Sequence, residues 1–409
     1  MDQRASDRNA GVTTEFERDV LKLLQEAVRG AERQEREDVG TESLLAALVS
    51  GESSAGSAIA PGMKASGSLG GSIACRGTSV WVSEDAGDGA EGSPDDEREI
   101  DALWREVRHE EAKRLRWKNR KKQEEELESL ELPPMTGALR DCLRKALKSA
   151  REEGTVSVHV RHVARALLEL PDTRAREAMV LEKLDVSAAS AALDALEPGG
   201  DEAPEPGSVL VLRKAGTFGK SGNPLTRKFT AWIFGGGAGF GSAVVGAVRT
   251  ESSRGAVRRG ASEIEPVDTL LAILALDRSL TVAERELPEK LAGANRGAEL
   301  LHRYGARQEV LARLLLPSTG VAEGALPPEV PGHADFERRL LHVTQFTASA
   351  EGSPTVGTTH LLAALLDPAG TDAESAAEVE RVLTESGVDV AGLRAEPELR
   401  VPGGAAPAA

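Results

Sequence analysis

Hydrophobic positions along the chain repeat with a helical period in some stretches and with no period in others. Apolar residues at i, i+3, i+4 and i+7 share one face of an α-helix, so that spacing predicts an amphipathic helix. Four stretches carry it. They are Phe16, Val20, Leu23, Leu24 and Ala27; Leu139, Leu143, Ala146, Leu147 and Ala150; Phe240, Val244, Val245 and Val248; and Phe336, Leu340, Leu341 and Val343. Each precedes a second helix rich in Leu and Ala behind a small or polar start. The first copy reads Gly40-Thr41-Glu42-Ser43-Leu44-Leu45-Ala46-Ala47-Leu48, and the last reads Gly357-Thr358-Thr359-His360-Leu361-Leu362-Ala363-Ala364-Leu365-Leu366. Weaker copies start at Val160-Arg161-His162 and Pro266-Val267-Asp268. Shorter helices and a turn follow at 178–193, 298–311 and 379–393, where Gly305 and Gly387 are the expected helix stops. The first copy keeps only a degraded version around 57–63. Self-similarity of this kind predicts an all-α fold built from repeats.

Three internal stretches and the C-terminal tail lie outside the pattern. Residues 64–96 are Gly/Ser-rich and then acidic, which predicts a flexible linker or loop. Residues 97–132 read as a long charged helix with Ile100, Leu103, Trp104 and Val107 on one stripe, stopped by Pro133-Pro134. Residues 199–228 read as an interdomain linker, and 401–409 as a disordered tail. The first domain is therefore expected at 12–198, with repeats at 12–63 and 135–198 and an insertion at 64–134. The second is expected at 229–400, with repeats at 235–316 and 333–400.

Composition sharpens this. Aromatic residues make up only 3 % of the chain, against 40 % apolar residues overall. Ala, Leu and Val must then fill the core, which favours helices over a β-sandwich. A net charge of −16 repels phosphate backbones, so nucleic acid is not an expected partner. Two cysteines, Cys75 and Cys142, fit a reducing compartment without a disulfide framework. The polar start Met1-Asp2-Gln3-Arg4-Ala5 has no apolar signal-peptide core, and a cytoplasmic location is expected. Residues 229–248 are uncharged and long enough to span a bilayer, yet six of them are glycine. Glycine costs a helix about 1 kcal/mol relative to Ala. The period also places 242–248 on the first helix of the third repeat, so a loop and a buried helix are expected there, not a membrane span.

Candidate chemistry is sparse. The one Gly-Lys-Ser, Gly219-Lys220-Ser221, has Lys214 where a phosphate-binding loop needs glycine, and Gly222-Asn223-Pro224 after it cannot open a helix. There is no Gly-x-Ser-x-Gly and no His-Glu-x-x-His. His159 and His162 lie three apart near a helix start, but two ligands do not make a metal site. Cys142 falls on the apolar side of a helix, where cysteine is usually inert. No catalytic residue, metal or cofactor is expected. The run Lys113-Arg114-Leu115-Arg116-Trp117-Lys118-Asn119-Arg120-Lys121-Lys122 holds seven cations. It reads as a solvated helix paired to Glu125 and Glu126 at i, i+4, as a protein-docking helix around Arg116, Trp117 and Lys118, or as a nucleic-acid contact.

The phenylalanine-led first helix, the Gly-Thr-Glu-x-Leu-Leu-x-x-Leu stretch and the x-x-Leu-x-x-x-Gly-Val turn resemble the Clp N-terminal repeat, or Clp-R domain, of ClpC- and ClpA-type unfoldases. The resemblance spans roughly two-thirds of the chain, and the ATPase modules of that family have no counterpart here. It implies two tandem domains, each a pseudo-twofold pair of repeats, with a charged helical insertion in the first. It also implies recruitment of proteins or peptides, among them Clp unfoldases, adaptors and Clp substrates. In some members the glutamate of the Gly-Thr-Glu-His motif holds the guanidinium of phosphoarginine. Glu42 matches it, with Thr41 and Phe16 beside it, and a carboxylate suits a guanidinium fork. Arg161, Val267 and Thr359 replace that glutamate in the other copies. Glu42 can equally be a carboxylate that favours a helix N-terminus. The resulting expectation is a non-catalytic adaptor or decoy in Clp-linked protein quality control. The alternative is a scaffold that reuses the fold for unrelated partners.

Overall fold

Val20, Leu23, Leu24, Ala27, Val28 and Ala31 follow the helical period along helix α1 (Arg18–Arg33), and all six are buried. The same logic builds the rest of a chain that is mostly helical in the computed structural model. That structure describes residues 11–76, 81–89, 92–120, 130–196, 205–219, 242–317, 321, 324–327, 335–368 and 371–400.

The chain divides into two units. The N-terminal unit comprises Thr14–Pro204 and Ser318–Glu329. Strand β1 (Glu15–Phe16) leads into α1, followed by α2 (Thr41–Ser50), α3 (Ser54–Ile59), α4 (Met63–Ser66), α5 (Ser68–Cys75) and α6 (Pro94–Lys118). Strand β2 (Glu131–Leu132), α7 (Gly137–Glu152), β3 (Ser157–Val158), α8 (Val160–Glu169), α9 (Arg174–Leu181) and α10 (Val186–Asp194) complete the main segment. The C-terminal unit comprises Met1–Thr13, Glu205–Pro317 and Val330–Ala409. It holds α11 (Gly207–Lys214), α12 (Ala243–Arg259), α13 (Pro266–Val282), α14 (Glu289–Ala292), α15 (Gly297–Arg303) and α16 (Gln308–Leu315), then α17 (Asp335–Ala350), α18 (Thr358–Leu366), α19 (Ala373–Glu385) and α20 (Val390–Ala395).

Four helix hairpins recur: α1 on α2, α7 on α8, α12 on α13 and α17 on α18. Their first helices end alike. The N–H of Arg36, Thr155, Ala261 and Ser353 reaches back to the carbonyl of Ala31, Ala150, Ala256 and Ala348, five residues earlier. The residue just before each has φ between +52° and +74°: Glu35, Gly154, Gly260 and Gly352. This left-handed cap satisfies carbonyls that a helix end otherwise leaves open. Helices α9, α15 and α19 end the same way, at Lys183, Gly305 and Gly387.

Within the N-terminal unit, short parallel pairings tie the helix entries together. Residues Glu15 and Phe16, before α1, pair with Ser157 and Val158, before α8. Val39, before α2, pairs with Met135, before α7. Each hairpin's first helix thus starts beside the other hairpin's second helix. Strand β2 pairs antiparallel with β4 (Gly324–Ala325), which belongs to this unit.

The segments read as linkers differ from expectation. Residues 64–96 are not a free loop: α5 buries Leu69 and Ile73, one helical turn apart, in the core. The 199–228 stretch contains α11, whose Val209 and Leu212 enter the core of the C-terminal unit. In both, two apolar residues at i, i+3 or i+4 suffice once a neighbouring face receives them, and so few leave no visible period. The charged helix runs over Pro94–Lys118, not to 132. Ser93 caps its start, accepting from the Asp96 N–H at 3.2 Å, and its stripe of Ile100, Leu103, Trp104 and Val107 packs into the core. Residues 121–129, with the expected Lys121–Glu125 and Lys122–Glu126 pairs, lie outside the described residues, as do 229–241 and 401–409. Val244, Val245 and Val248 of the glycine-rich stretch are buried on α12. Among the described residues no helix is long and apolar enough to cross a membrane.

Candidate functional site

Three helix N-termini of the N-terminal unit meet at one carboxylate. Asp85 Oδ2 accepts the Thr41 N–H at 2.8 Å and the Thr136 hydroxyl at 2.7 Å. Its Oδ1 accepts the Thr41 hydroxyl at 2.6 Å and the Arg174 N–H at 3.2 Å. Thr41 opens α2, Thr136 caps α7 and Arg174 opens α9, so Asp85 faces the positive ends of three helices. Asp85 is 1 % exposed and has φ +56°, a conformation that Asp tolerates better than most side chains. Glycines let the backbone close in: a Cβ on Gly137 would sit 1.8 Å from the Ala86 carbonyl oxygen.

Glu42 lies next to this convergence. It is fully buried, and Oε1 accepts from Arg36 Nη1 at 2.9 Å, with Arg174 Nη1 at 3.7 Å. Burial pushes its carboxyl above the usual carboxylate range; Arg174 and Arg36 oppose that rise and Asp85 adds to it. Arg36 also donates to the carbonyl of Ile73 at 2.7 Å, and its guanidinium lies 5.9 Å from the Trp81 ring, with that of Arg76 at 5.2 Å. Asp38 takes Arg174 at 2.5 and 3.0 Å.

The residues singled out in the sequence therefore fall in three places. Thr41 and Glu42 are together, but buried, and the guanidinium groups that face Glu42 are the chain's own. Phe16 is 3 % exposed in the core, its N–H donating to Glu99. Arg116, Trp117 and Lys118 end α6. Arg116 donates to the Pro327 carbonyl, Lys118 is exposed, and Trp117 is 69 % exposed with the Arg120 guanidinium 4.8 Å from its ring. Asp85, the centre of the buried cluster, carries no sequence signal beyond an Asp/Gly-rich stretch that favours turns.

Two histidines hold helix entries. His162 is buried; its Nδ1 accepts the His159 N–H at 2.8 Å and its Nε2 faces Glu153 at 3.1 Å. His360 repeats this at Gly357 and Glu351, at 3.1 and 3.3 Å. Burial, then Arg161, pushes the His162 pKa down to about 4. Despite burial, hydrogen bonds from Arg161 and His162 bring Glu153 down to about 2. Between about 4 and 6.5 the unfolded chain binds the His162 proton and the folded chain does not, so stability falls as pH drops through that window. Glu153 adds a further loss between 4.5 and about 2. His159 acts in the opposite sense: its burial is outweighed by Asp19, its pKa is raised, and its contribution is lost as pH rises above 6.5. An NMR titration of the ring protons should show His162 neutral at pH 5.5 and His159 more than half protonated at pH 6.5; a His162 midpoint near 6.5 would refute the assignment.

Cys142 is buried, its thiol raised by desolvation and bonded to the Val163 carbonyl at 3.5 Å, while Cys75 is exposed. Among the described residues no group of three or more His, Cys, Asp or Glu is placed to hold a metal ion. None of the known protein-family models, curated proteins or solved structures matches the chain.

Proposed function

We propose that the chain is a non-catalytic binding protein made of four Clp-R-type helical repeats, two in each unit, which engages proteins or peptides in Clp-linked protein quality control as an adaptor or a decoy. The observation that supports this reading is the recurrence of one helix hairpin with one left-handed cap at four places that also share a sequence pattern. The exchanged helix entries of the N-terminal unit are what a pseudo-twofold pair of repeats produces. Because Arg36 and Arg174 already engage Glu42, partner contact is assigned to exposed surface, with Trp117 as its anchor. Tryptophan, tyrosine and arginine are enriched among the few residues that carry most of the binding energy of protein interfaces.

A pull-down of the full chain from its native lysate, quantified by mass spectrometry, tests this against a Trp117→Ala variant. Trp117 is exposed, so the variant should keep its stability within about 0.5 kcal/mol. Enrichment of Clp unfoldase, protease or adaptor proteins, lowered in the variant, is the expected result. Enrichment of unrelated proteins, also lowered in the variant, favours the second reading, a scaffold that docks partners through α6. The core-anchored helix with its exposed tip is the feature that favours that alternative.

A further inference from the structure

The third hairpin departs from the other three. Helices α2, α8 and α18 run for 10, 10 and 9 residues, whereas α13 runs for 17. The added turns carry Leu276 and Leu280, and both line a groove within the C-terminal unit. Phe218, Ile273, Leu287 and Ala298 complete its apolar lining. At about 1820 Å³ the groove exceeds the roughly 300–1,000 Å³ of small-molecule pockets, so its size suits a peptide. Its charges do not balance. Arg285 meets Glu205 at 3.6 Å, Arg296 meets Glu299 at 2.7 Å and His302 meets Asp277 at 3.6 Å. Among the described residues that leaves Glu284 and Glu286, both exposed, against the single cation Arg307.

The same repeat carries a stretch of matching chemistry. The described chain reaches the groove at Phe218 and Gly219 and resumes at Ser242, the cap of α12. Residues 220–241 between them contain no Asp or Glu, three cations (Lys220, Arg227 and Lys228) and a third of the chain's aromatic residues: Phe229, Trp232, Phe234 and Phe240. Against a net charge of −16 and 3 % aromatic residues, this stretch is the reverse of the chain around it. Phe229 lies ten residues beyond Gly219, a tether of at most about 35 Å, so the aromatic cluster stays within reach of the groove. We propose that the groove is a peptide-binding site filled by the chain's own residues 225–234, with Phe229, Trp232 and Phe234 against its apolar lining and Arg227 and Lys228 toward Glu284 and Glu286. Aromatic side chains carry the largest gain on burial, and the two carboxylates fix the direction of the segment by charge. The inference needs no second molecule and stands apart from the function proposed above.

The test labels the full chain with 5-fluorotryptophan, so that 19F lines report Trp81, Trp104, Trp117 and Trp232, the last assigned by Trp232→Phe. The Trp232 line should show little of the H2O-to-D2O shift that exposed Trp117 gives, at every protein concentration. Leu287→Ala and Glu284→Lys/Glu286→Lys change half-buried and exposed positions, so the chain should stay folded. Each should move the Trp232 line and leave the other three, which belong to the N-terminal unit, in place. A second reading titrates a fluorescein-labelled peptide of residues 225–236 into wild type and into Phe229→Ser/Trp232→Ser/Phe234→Ser. The variant should bind the peptide at least about tenfold more tightly, because in wild type the tethered copy competes at an effective concentration on the order of mM. Adding Glu284→Lys/Glu286→Lys to that variant should remove most of the gain. A solvent-exposed Trp232 in wild type, or a Trp232 line indifferent to both groove variants, overturns the inference. Shielding that grows with protein concentration places the segment in a second copy and overturns the intrachain assignment.

Discussion

Truncating Trp104 to Ala is expected to destabilise the N-terminal unit by about 3–5 kcal/mol, the range for deleting a large buried aromatic side chain. Trp104 is 2 % exposed in the middle of α6, which packs on both α1 and α7. The surrounding helices cannot collapse into the space, because α6 is fixed at both flanks by ion pairs. Glu97 and Asp101 bind Arg140 at 2.8 Å, Glu97 binds Arg144, and Glu111 binds Arg29. In a unit of this size the loss should appear as a fall in Tm of roughly 10 °C. A variant within 1 kcal/mol of wild type by urea titration would mean that α6 is an appendage and not part of the core.

Glu42→Ala should cost a similar amount, about 3–5 kcal/mol, because removing one partner of a buried pair strands the other. Here Arg36, itself 6 % exposed, would lose its carboxylate while held by the Ile73 and Arg76 carbonyls. Glu42→Gln should cost less, since the side chain fits and the burial that raises the Glu42 pKa already penalises its charge. The decisive measurement is a double-mutant cycle with Arg36→Met. Arg36→Met/Glu42→Leu should be clearly more stable than the sum of the single changes requires, giving a positive coupling of at least about 1 kcal/mol. Strict additivity would show that the pair contributes only as packed volume. Loss of binding on Glu42→Ala alone would carry no information about a ligand, because the fold itself is at stake.

The helices were legible where one face of a segment is apolar over three turns, as in α1 and α7, or where Leu and Ala run together, as in α2 and α18. The α6 stripe was legible for the same reason, and so were the stops at Gly305 and Gly387, because glycine enters the left-handed cap without strain. Segments that rely on one or two distant contacts were not. Leu69 and Ile73 look unremarkable among glycines and serines until α2 is beside them. Asp85 finds its partners at Thr41, Thr136 and Arg174, which no local spacing brings near. The cap at Glu35 was equally silent: a glutamate at φ +52° does what glycine does after the other three first helices, so its role shows only in the hydrogen bonds. Glu42 was recognisable as a carboxylate suited to a guanidinium. That the guanidinium belongs to this chain depends on Arg36 and Arg174 folding onto it from either side of the sequence.

The short strand pair between Glu131–Leu132 and Gly324–Ala325 also has a temporal meaning. The N-terminal unit takes its last contribution from a stretch more than a hundred residues downstream, which supplies this strand together with Val321 and Leu326 against the same core. A chain emerging from the ribosome makes the body of that unit early. It must then translate most of the C-terminal unit's first half before the closing segment exists, a delay of roughly 10 s at ordinary synthesis rates. During that interval the edge at Leu132 and the apolar surface beneath it are open to other chains. A polypeptide ending near residue 196 accordingly lacks strand β4 and the Val321 and Leu326 contacts that complete the N-terminal unit.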